Sequence, residues 1–389
     1  MRVARSCAIL YNTTMISFKP SEKLEKGLKK LQEQIVERYK EIESFTQEEK
    51  NYIKKQSFIS NIGASTRIEN AVLTDVEIEW VDTTLTHNGK TTAFPAKKKY
   101  ILNKLSKDRE RSIEEVAGCR EVLNTVYGQY KELFPLTESA VRSLHNDLLM
   151  YYEKAARYKG SYKTVTNKVV SINHNTRKEK IVLEPAPPGI QTKIAMDELV
   201  SWYNRSIHEY HHPILVACEF NFRFLAIHPF QDGNGRLGRA LYTLSLLQSD
   251  DKYLSEITPY ISVDRNIEQR RAEYYSVLHK VSNGKFHQDS SKYKYEPLCW
   301  FFIKVIEKSL EDINIYRNKY KRLTELSESS VKILNCFKSS PEKRIQVMEL
   351  EQDIKLPRRT IQYSLNILTK KGFLQKTGQG AGSRYQLIF

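Results

Sequence analysis

The chain has 389 residues, 40% hydrophobic and 28% charged, which is the balance of a folded globular protein and excludes a collagen-like or disordered chain. Its formal net charge of +16 favours an acidic partner, such as nucleic acid, a nucleotide or an anionic surface, without choosing among them. The five cysteines lie far apart with no metal-ligand spacing, which argues against a disulfide scaffold or zinc site and for a reducing compartment.

At about 150 residues per domain, this length predicts about two or three domains. No apolar run reaches the ~20 residues of a membrane span. The opening Met1–Tyr11 is too brief and too polar for a signal peptide. A cytoplasmic protein without a membrane partner is expected.

After Pro20, Leu24, Leu28, Leu31 and Ile35 recur at helical spacing. A second helix is predicted from Glu49 to Asn70, stopped by an Asn that tolerates the left-handed turn. Ile113, Val116, Leu123 and Val126 mark another, and Thr137 caps the next. Tyr162 to Leu183 changes to short β-branched runs around Asn173-His-Asn-Thr, a β-hairpin pattern closed by Pro185-Ala-Pro-Pro-Gly189. Helices are expected again from Lys193 to Ile227, Arg236 to Leu247, Ile267 to Val281 and Tyr295 to Tyr316. The last stretch reads helix (Ser327–Phe337), helix (Val347–Ile354) and helix from Pro357. A hairpin turning at Gly378-Gln-Gly-Ala-Gly382 completes it, which is the winged helix-turn-helix pattern.

One run concentrates chemistry: His228-Pro-Phe-Gln-Asp-Gly-Asn-Gly-Arg-Leu-Gly-Arg239. Gly233 to Gly238 matches the dinucleotide fingerprint, but that needs a strand before it and a parallel βαβ unit around it. Here the upstream residues look more helical than extended and alternating strands and helices are absent, which argues against that reading. The glycines instead precede a helix, whose exposed N–H groups suit an anion. Arg236 and Arg239, three apart, supply two guanidinium forks for a polyphosphate. Asp232 at the edge of the cradle is a carboxylate of the kind that holds Mg²⁺ beside phosphates. His228 titrates near neutrality and can take a proton from an attacking hydroxyl.

With every fixed position present, the run resembles the signature of Fic-domain proteins. Leu144-His145, the hairpin with Pro187-Pro188, and Glu273-Tyr-Tyr275 extend the resemblance over about Ile113 to Tyr316. It implies a mainly α fold: a Fic-type helical bundle with a small β-hairpin flap, here followed by a C-terminal winged-helix domain. The division expected is a helical region 1–110, a Fic core 111–320 and a winged helix 321–389.

The activity implied is protein adenylyltransfer: AMP moves from ATP, with Mg²⁺, to a Ser, Thr or Tyr hydroxyl of a target protein. His228 would be the base and Asp232 the metal ligand. Gly233, Asn234, Gly235, Arg236 and Arg239 would bind the phosphates, and Tyr274 would line the adenine pocket. The flap would clamp the target by strand addition. Leu225 stands where many members carry Glu, and Lys163 where Arg is common.

Ser65-Thr-Arg-Ile-Glu69-Asn70 resembles the family's inhibitory motif, which implies that Glu69 pairs with Arg239 and withholds it from the γ-phosphate. The same residues also fit a capping box, Thr66 to Glu69. Three alternatives stay open beside the transferase: removal of AMP, transfer of another phosphate-containing group, and a nucleotide-sensing DNA-binding regulator. A homodimer is a further implication of the resemblance. Arg358, Arg359, Lys370, Lys371 and Arg384 give the winged helix a basic face for DNA, although such modules also dock proteins.

Overall fold

Ser21 opens the first helix by accepting the Leu24 amide on its Oγ, and α1 (Glu22–Glu43) buries Leu24, Leu28, Leu31 and Ile35 along one side. The structure, a computed structural model, describes residues 15–87, 90–105, 110–172 and 179–388. Among these the chain is mainly helical. No helix among them is long and apolar enough to cross a membrane.

A capping box of Thr46 and Glu49 starts α2 (Gln47–Ile68). The second half of α2 is buried on nearly every side despite its polar sequence. Ser57 Oγ and Asn61 Nδ2 donate to the Ile261 carbonyl at 2.7 and 3.1 Å, and Asn61 Oδ1 accepts the Asp264 amide at 3.1 Å. Hydrogen-bonded in this way, these groups are tolerated in a core. The helix stops at Asn70, whose φ of 74° lets the Ala71 amide reach the Thr66 carbonyl and its own amide reach Arg67. This is the Schellman closure that Asn was expected to permit. Thr66 caps nothing: it is buried inside the helix, its Oγ1 shared between the Ile62 and Gly63 carbonyls.

Three short elements follow that the sequence reading did not foresee: α3 (Asp75–Leu85), the pair β1 (Thr86–His87) and β2 (Lys90–Thr91), and α4 (Phe94–Lys104). On α3 the apolar stripe is only Ile78, Val81 and Leu85, and on α4 only Phe94 and Ile101 are buried. Then come α5 (Glu110–Gly128) and α6 (Glu138–Leu148), the latter capped by Thr137 as expected. The antiparallel pair β3 (Val169–Ile172) and β4 (Glu179–Leu183) forms the hairpin read in the sequence, while its Asn173–Thr176 turn lies outside the described residues.

The helical span expected from Lys193 to Ile227 holds α7 (Ile190–Glu209) and α8 (Pro213–Ile227). Pro213 cannot donate backward and disfavours helical backbone at His212, so the chain turns there. The centre is α8 packed on α9 (Asn234–Leu247), both almost wholly buried. Next are α10 (Lys252–Ile257), α11 (Val263–Gln269) and α12 (Arg271–Ser282). The last two replace the single helix expected from Ile267 to Val281. The long α13 (Glu296–Thr324) runs beside α1, α2 and α8 and leads to the C-terminal elements.

Those elements are α14 (Glu328–Lys338), β5 (Ile345–Gln346), α15 (Val347–Ile354), α16 (Arg358–Lys370), β6 (Leu374–Thr377) and β7 (Arg384–Leu387). The strands make one antiparallel sheet in the order β5-β7-β6. They close over a separate apolar cluster that includes Ile333, Phe337, Leu350, Ile361, Leu365 and Leu374. Val76 of α3 packs against that cluster, and Lys338 Nζ meets Glu79 Oε1 at 3.4 Å.

Candidate functional site

The site forms where α8 ends and α9 begins. His228 takes a left-handed conformation, φ 49°, while its amide still bonds the Phe224 carbonyl at 2.9 Å. The backbone therefore turns sharply at the histidine. Asn234 pins the loop beyond it: its side chain accepts the Phe230 amide at 2.9 Å and donates to the Phe230 carbonyl at 2.7 Å. Phe230 is fully buried and stacks on the His145 ring, centroids 3.7 Å apart.

His145 does more than pack. Its Nδ1 accepts the Gly160 amide at 2.9 Å, so Nε2 carries the proton and donates to the Asp232 carbonyl at 2.8 Å. Burial holds this ring neutral, its pKa lowered to about 4. Asp232 is thus fixed through its backbone. Its carboxylate receives the Gly233 amide at 2.6 Å and is flanked by Arg236 Nη2 and Arg111 Nη2, each at 3.4 Å.

Gly233, with φ 81°, begins α9 without a side-chain cap. The first-turn N–H groups have no intrahelical acceptor and face the loop, the arrangement that binds anions. A Cβ on Gly235 would stand 2.3 Å from Glu69 Oε1, so any side chain there would displace the Glu69 carboxylate.

The two arginines are buried differently. Arg236 lies 3.5 Å from Glu115 Oε1, and its Nε has no hydrogen-bond partner among the described residues. Arg239 Nη2 donates to Glu69 Oε1 at 3.0 Å and to the Ser65 carbonyl at 2.8 Å, and its Nε donates to Ser65 Oγ at 3.1 Å. Asn70, next to Glu69, accepts from Arg271 Nη2 at 3.0 Å.

The His228 imidazole is held by the Leu225 carbonyl, 3.3 Å from Nδ1. A carbonyl only accepts, so Nδ1 bears the proton and Nε2 keeps its lone pair. Burial, followed by the positive charge of Lys163, lowers its pKa to about 4. Lys163 is itself buried; its Nζ donates to Asn167 Oδ1 and the Ile227 carbonyl, both at 3.0 Å, and burial lowers its pKa to about 8.

These groups line one cleft of about 270 Å³: Glu69, His228, Asp232 to Arg236, Arg239, Tyr274, Tyr275, and Val169 and Val182 of the hairpin. Tyr274 is buried with its hydroxyl unpaired among the described residues. A larger groove of about 720 Å³ lies between α1 and the His211–Ile214 turn. It brings together none of these groups, so the chemistry belongs to the smaller cleft. Every catalytic, nucleotide-binding, metal or inhibitory residue expected from the sequence lies in the cleft or, for Ser65 and Asn70, at the end of α2 that delivers Glu69. Sequence reading missed Arg111, Glu115 and Asp264, which come from α5 and α11 and share no local pattern with the run.

A profile of the Fic/DOC family matches residues 135–246. The protein adenylyltransferase Fic of Aedes aegypti is 30% identical over 100 residues, 26% of this chain and 18% of that protein. Its Caenorhabditis briggsae counterpart, fic-1, is 31% identical over 99 residues, covering 25% and 17%. The chain thus matches under a fifth of the length of these curated relatives. A Fic family protein from Desulfovibrio desulfuricans G20 has a similar fold over 96% of this chain and 98% of its own, TM-score 0.54 at 20% identity. A Fic domain containing signaling protein from Bacteroides thetaiotaomicron covers 76% of this chain and 97% of its own, TM-score 0.51 at 20% identity. Residues 135–246, which include the entire run from His228 to Arg239, are a domain of the Fic/DOC family.

Proposed function

We propose that this protein transfers AMP from ATP to a Ser, Thr or Tyr hydroxyl of a target protein, and that Glu69 restrains it. One observation carries the reading: a neutral histidine, protonated on Nδ1 and with Nε2 left to accept, shares a cleft with a helix N-terminus that has no side-chain cap and with two buried arginines. The triphosphate would lie on the Gly233–Arg236 amides, with Arg236 and Arg239 on its outer oxygens. The target hydroxyl attacks the α-phosphorus and its proton passes to His228 Nε2. The bond from α-phosphorus to the pyrophosphate oxygen breaks, leaving AMP on the target. The chain positions groups and stabilises charge, as phosphoryl-type transfer requires.

Mg²⁺ fits this site. Among the described residues no group of three or more His, Cys, Asp or Glu side chains could hold a metal by themselves. Mg²⁺ beside phosphates needs only one or two carboxylates, and Asp232 offers one that is 40% exposed at the cleft. When bound, the ion would neutralise phosphate charge.

Removal of AMP remains the second reading, favoured by one feature: Glu69 lines the same cleft as His228, where a carboxylate can orient a water. The division into a helical region 1–110, a core 111–320 and a winged helix 321–389 belongs to this proposal. For the last unit we propose DNA as partner through exposed Arg359, Lys370 and Arg384. Arg358 and Lys371 are already paired, with Glu351 and Glu325, so the contact would rest on fewer cations than the sequence offers. A homodimer and a cytoplasmic location complete the proposal.

Intact-mass spectrometry of Glu69→Gly protein after incubation with ATP and Mg²⁺, with and without candidate targets, tests the main claim. AMP-sized additions that vanish in Glu69→Gly/His228→Ala support transfer. Additions that persist without His228 refute it.

A further inference from the structure

Among the described residues, every acceptor within hydrogen-bond distance of Arg239 belongs to α2 or to the residue that caps it: Ser65 Oγ, the Ser65 carbonyl and Glu69 Oε1. Arg239 is only 2% exposed. If Glu69 withdraws to admit ATP, a buried guanidinium loses its charged partner before any γ-phosphate arrives. Breaking a buried pair by removing one side is strongly destabilising, because it leaves an uncompensated charge. Something must hold Arg239 through that interval.

Asp264 is placed to do so. It stands on α11, not on the helix that carries Glu69, and is 3% exposed. Its Oδ2 lies 4.0 Å from Arg239 Nε, and apart from Glu69 it is the one carboxylate within ion-pair reach of Arg239 among the described residues. Its Oδ1 has no hydrogen-bond partner among those residues. The Asp264 amide is anchored by Asn61 Oδ1 at 3.1 Å. It does not line the cleft, so it does not reach a nucleotide there.

We propose that Asp264 is the fixed counter-ion of Arg239, a positioning residue that keeps the charged guanidinium aimed at the γ-phosphate once Glu69 has left. The set-back distance suits the task. A carboxylate in full hydrogen-bond contact would compete with the phosphate for the same N–H groups. One at the edge of reach attracts the charge and leaves the donors free.

This rests on ATP being the nucleotide, as proposed above, and the test separates the two claims. ATP and ADP binding to the full chain is measured by calorimetry at fixed Mg²⁺ in wild type, Glu69→Gly and Glu69→Gly/Asp264→Asn. If Glu69→Gly binds ATP no better than wild type, the restraint assigned to Glu69 fails. If it does bind better, Asp264→Asn must weaken ATP about tenfold, which is 1.4 kcal/mol, and leave ADP within about twofold. An equal loss for both nucleotides, or no loss, overturns the inference, since a merely structural residue does not read the γ-phosphate. Should Asp264→Asn fail to fold, Asp264→Glu decides. Its longer reach would pair with Arg239 directly and narrow the preference for ATP over ADP, and an unchanged preference overturns the proposal.

Discussion

Glu69 and Gly235 contend for one space: a side-chain carbon at position 235 would stand 2.3 Å from Glu69 Oε1. The glycine that opens the anion cradle is therefore also the reason the carboxylate can lie in it. Both the phosphate and the Glu69 carboxylate are anions, and one helix N-terminus serves either. Glu69→Gly is expected to raise AMP incorporation from labelled ATP at least about tenfold, since one charged contact of this kind is worth about 1.5–3 kcal/mol. Unchanged incorporation would remove Glu69 from the regulatory scheme.

The turn after Glu69 offers a gentler lever. Asn70 sits at φ 74°, where β-branched residues are strained. Asn70→Gly should leave the melting temperature nearly unchanged. Asn70→Val should cost about 1–2 kcal/mol and fray the last turn of α2. In the valine variant, labelled-ATP incorporation should rise with the loss of stability. A variant that is less stable but no more active would separate the turn from the restraint.

His228 gives a pH signature. Its pKa is lowered to about 4, first by burial, so the ring stays unprotonated and able to accept across the neutral range. Activity of Glu69→Gly protein should hold as pH falls through 6.5, where a free imidazole would be lost, and decline only towards about 4. Lys163 contributes its charge to this shift, so Lys163→Met should move the acid limb upward. Burial, the larger cause, keeps it below 6.5. A limb already at 6.5 in the parent protein would contradict the buried geometry.

His145 tests the support beneath Asp232. Replacing it with Ala removes the donor to the Asp232 carbonyl and the stacking partner of Phe230. The expected cost is about 2–4 kcal/mol of stability by chemical denaturation, from a cavity plus an unsatisfied carbonyl. His145→Asn, which keeps a donor, should recover part of the transfer rate. Failure of any donor to restore it would make His145 a packing residue alone.

Much of the site was legible because it is local. His228, Asp232, the glycines and both arginines fall within one turn and the start of one helix, so spacing alone converges them. Glu69 lies 170 positions from Arg239 and was reachable only through its resemblance to a known motif. Arg111, Glu115 and Asp264 had no such aid: they arrive on α5 and α11 through packing, which single-sequence periodicity does not encode. The same limit explains the fold errors. Pro213 announces the break before α8, yet the junction of α11 and α12 at Arg270 has neither Pro nor Gly nearby. On α3 the stripe of Ile78, Val81 and Leu85 is short, and α4 buries only Phe94 and Ile101 and has none.

The polar burial of α2 has a consequence for how its grip on Arg239 can be released. Ser57 and Asn61 satisfy the backbone of residues 261 and 264, so lifting the helix bodily would strand several buried donors and acceptors at about 1–3 kcal/mol each. Unwinding only the final turn leaves those bonds in place and breaks instead the partly exposed Arg67 pairs with Glu268 and Asp75. Release should therefore be a local fraying event, confined to Thr66 through Ala71. Amide hydrogen exchange would find fast-opening protons there while those of Ile53 to Ile62 exchange only with global unfolding.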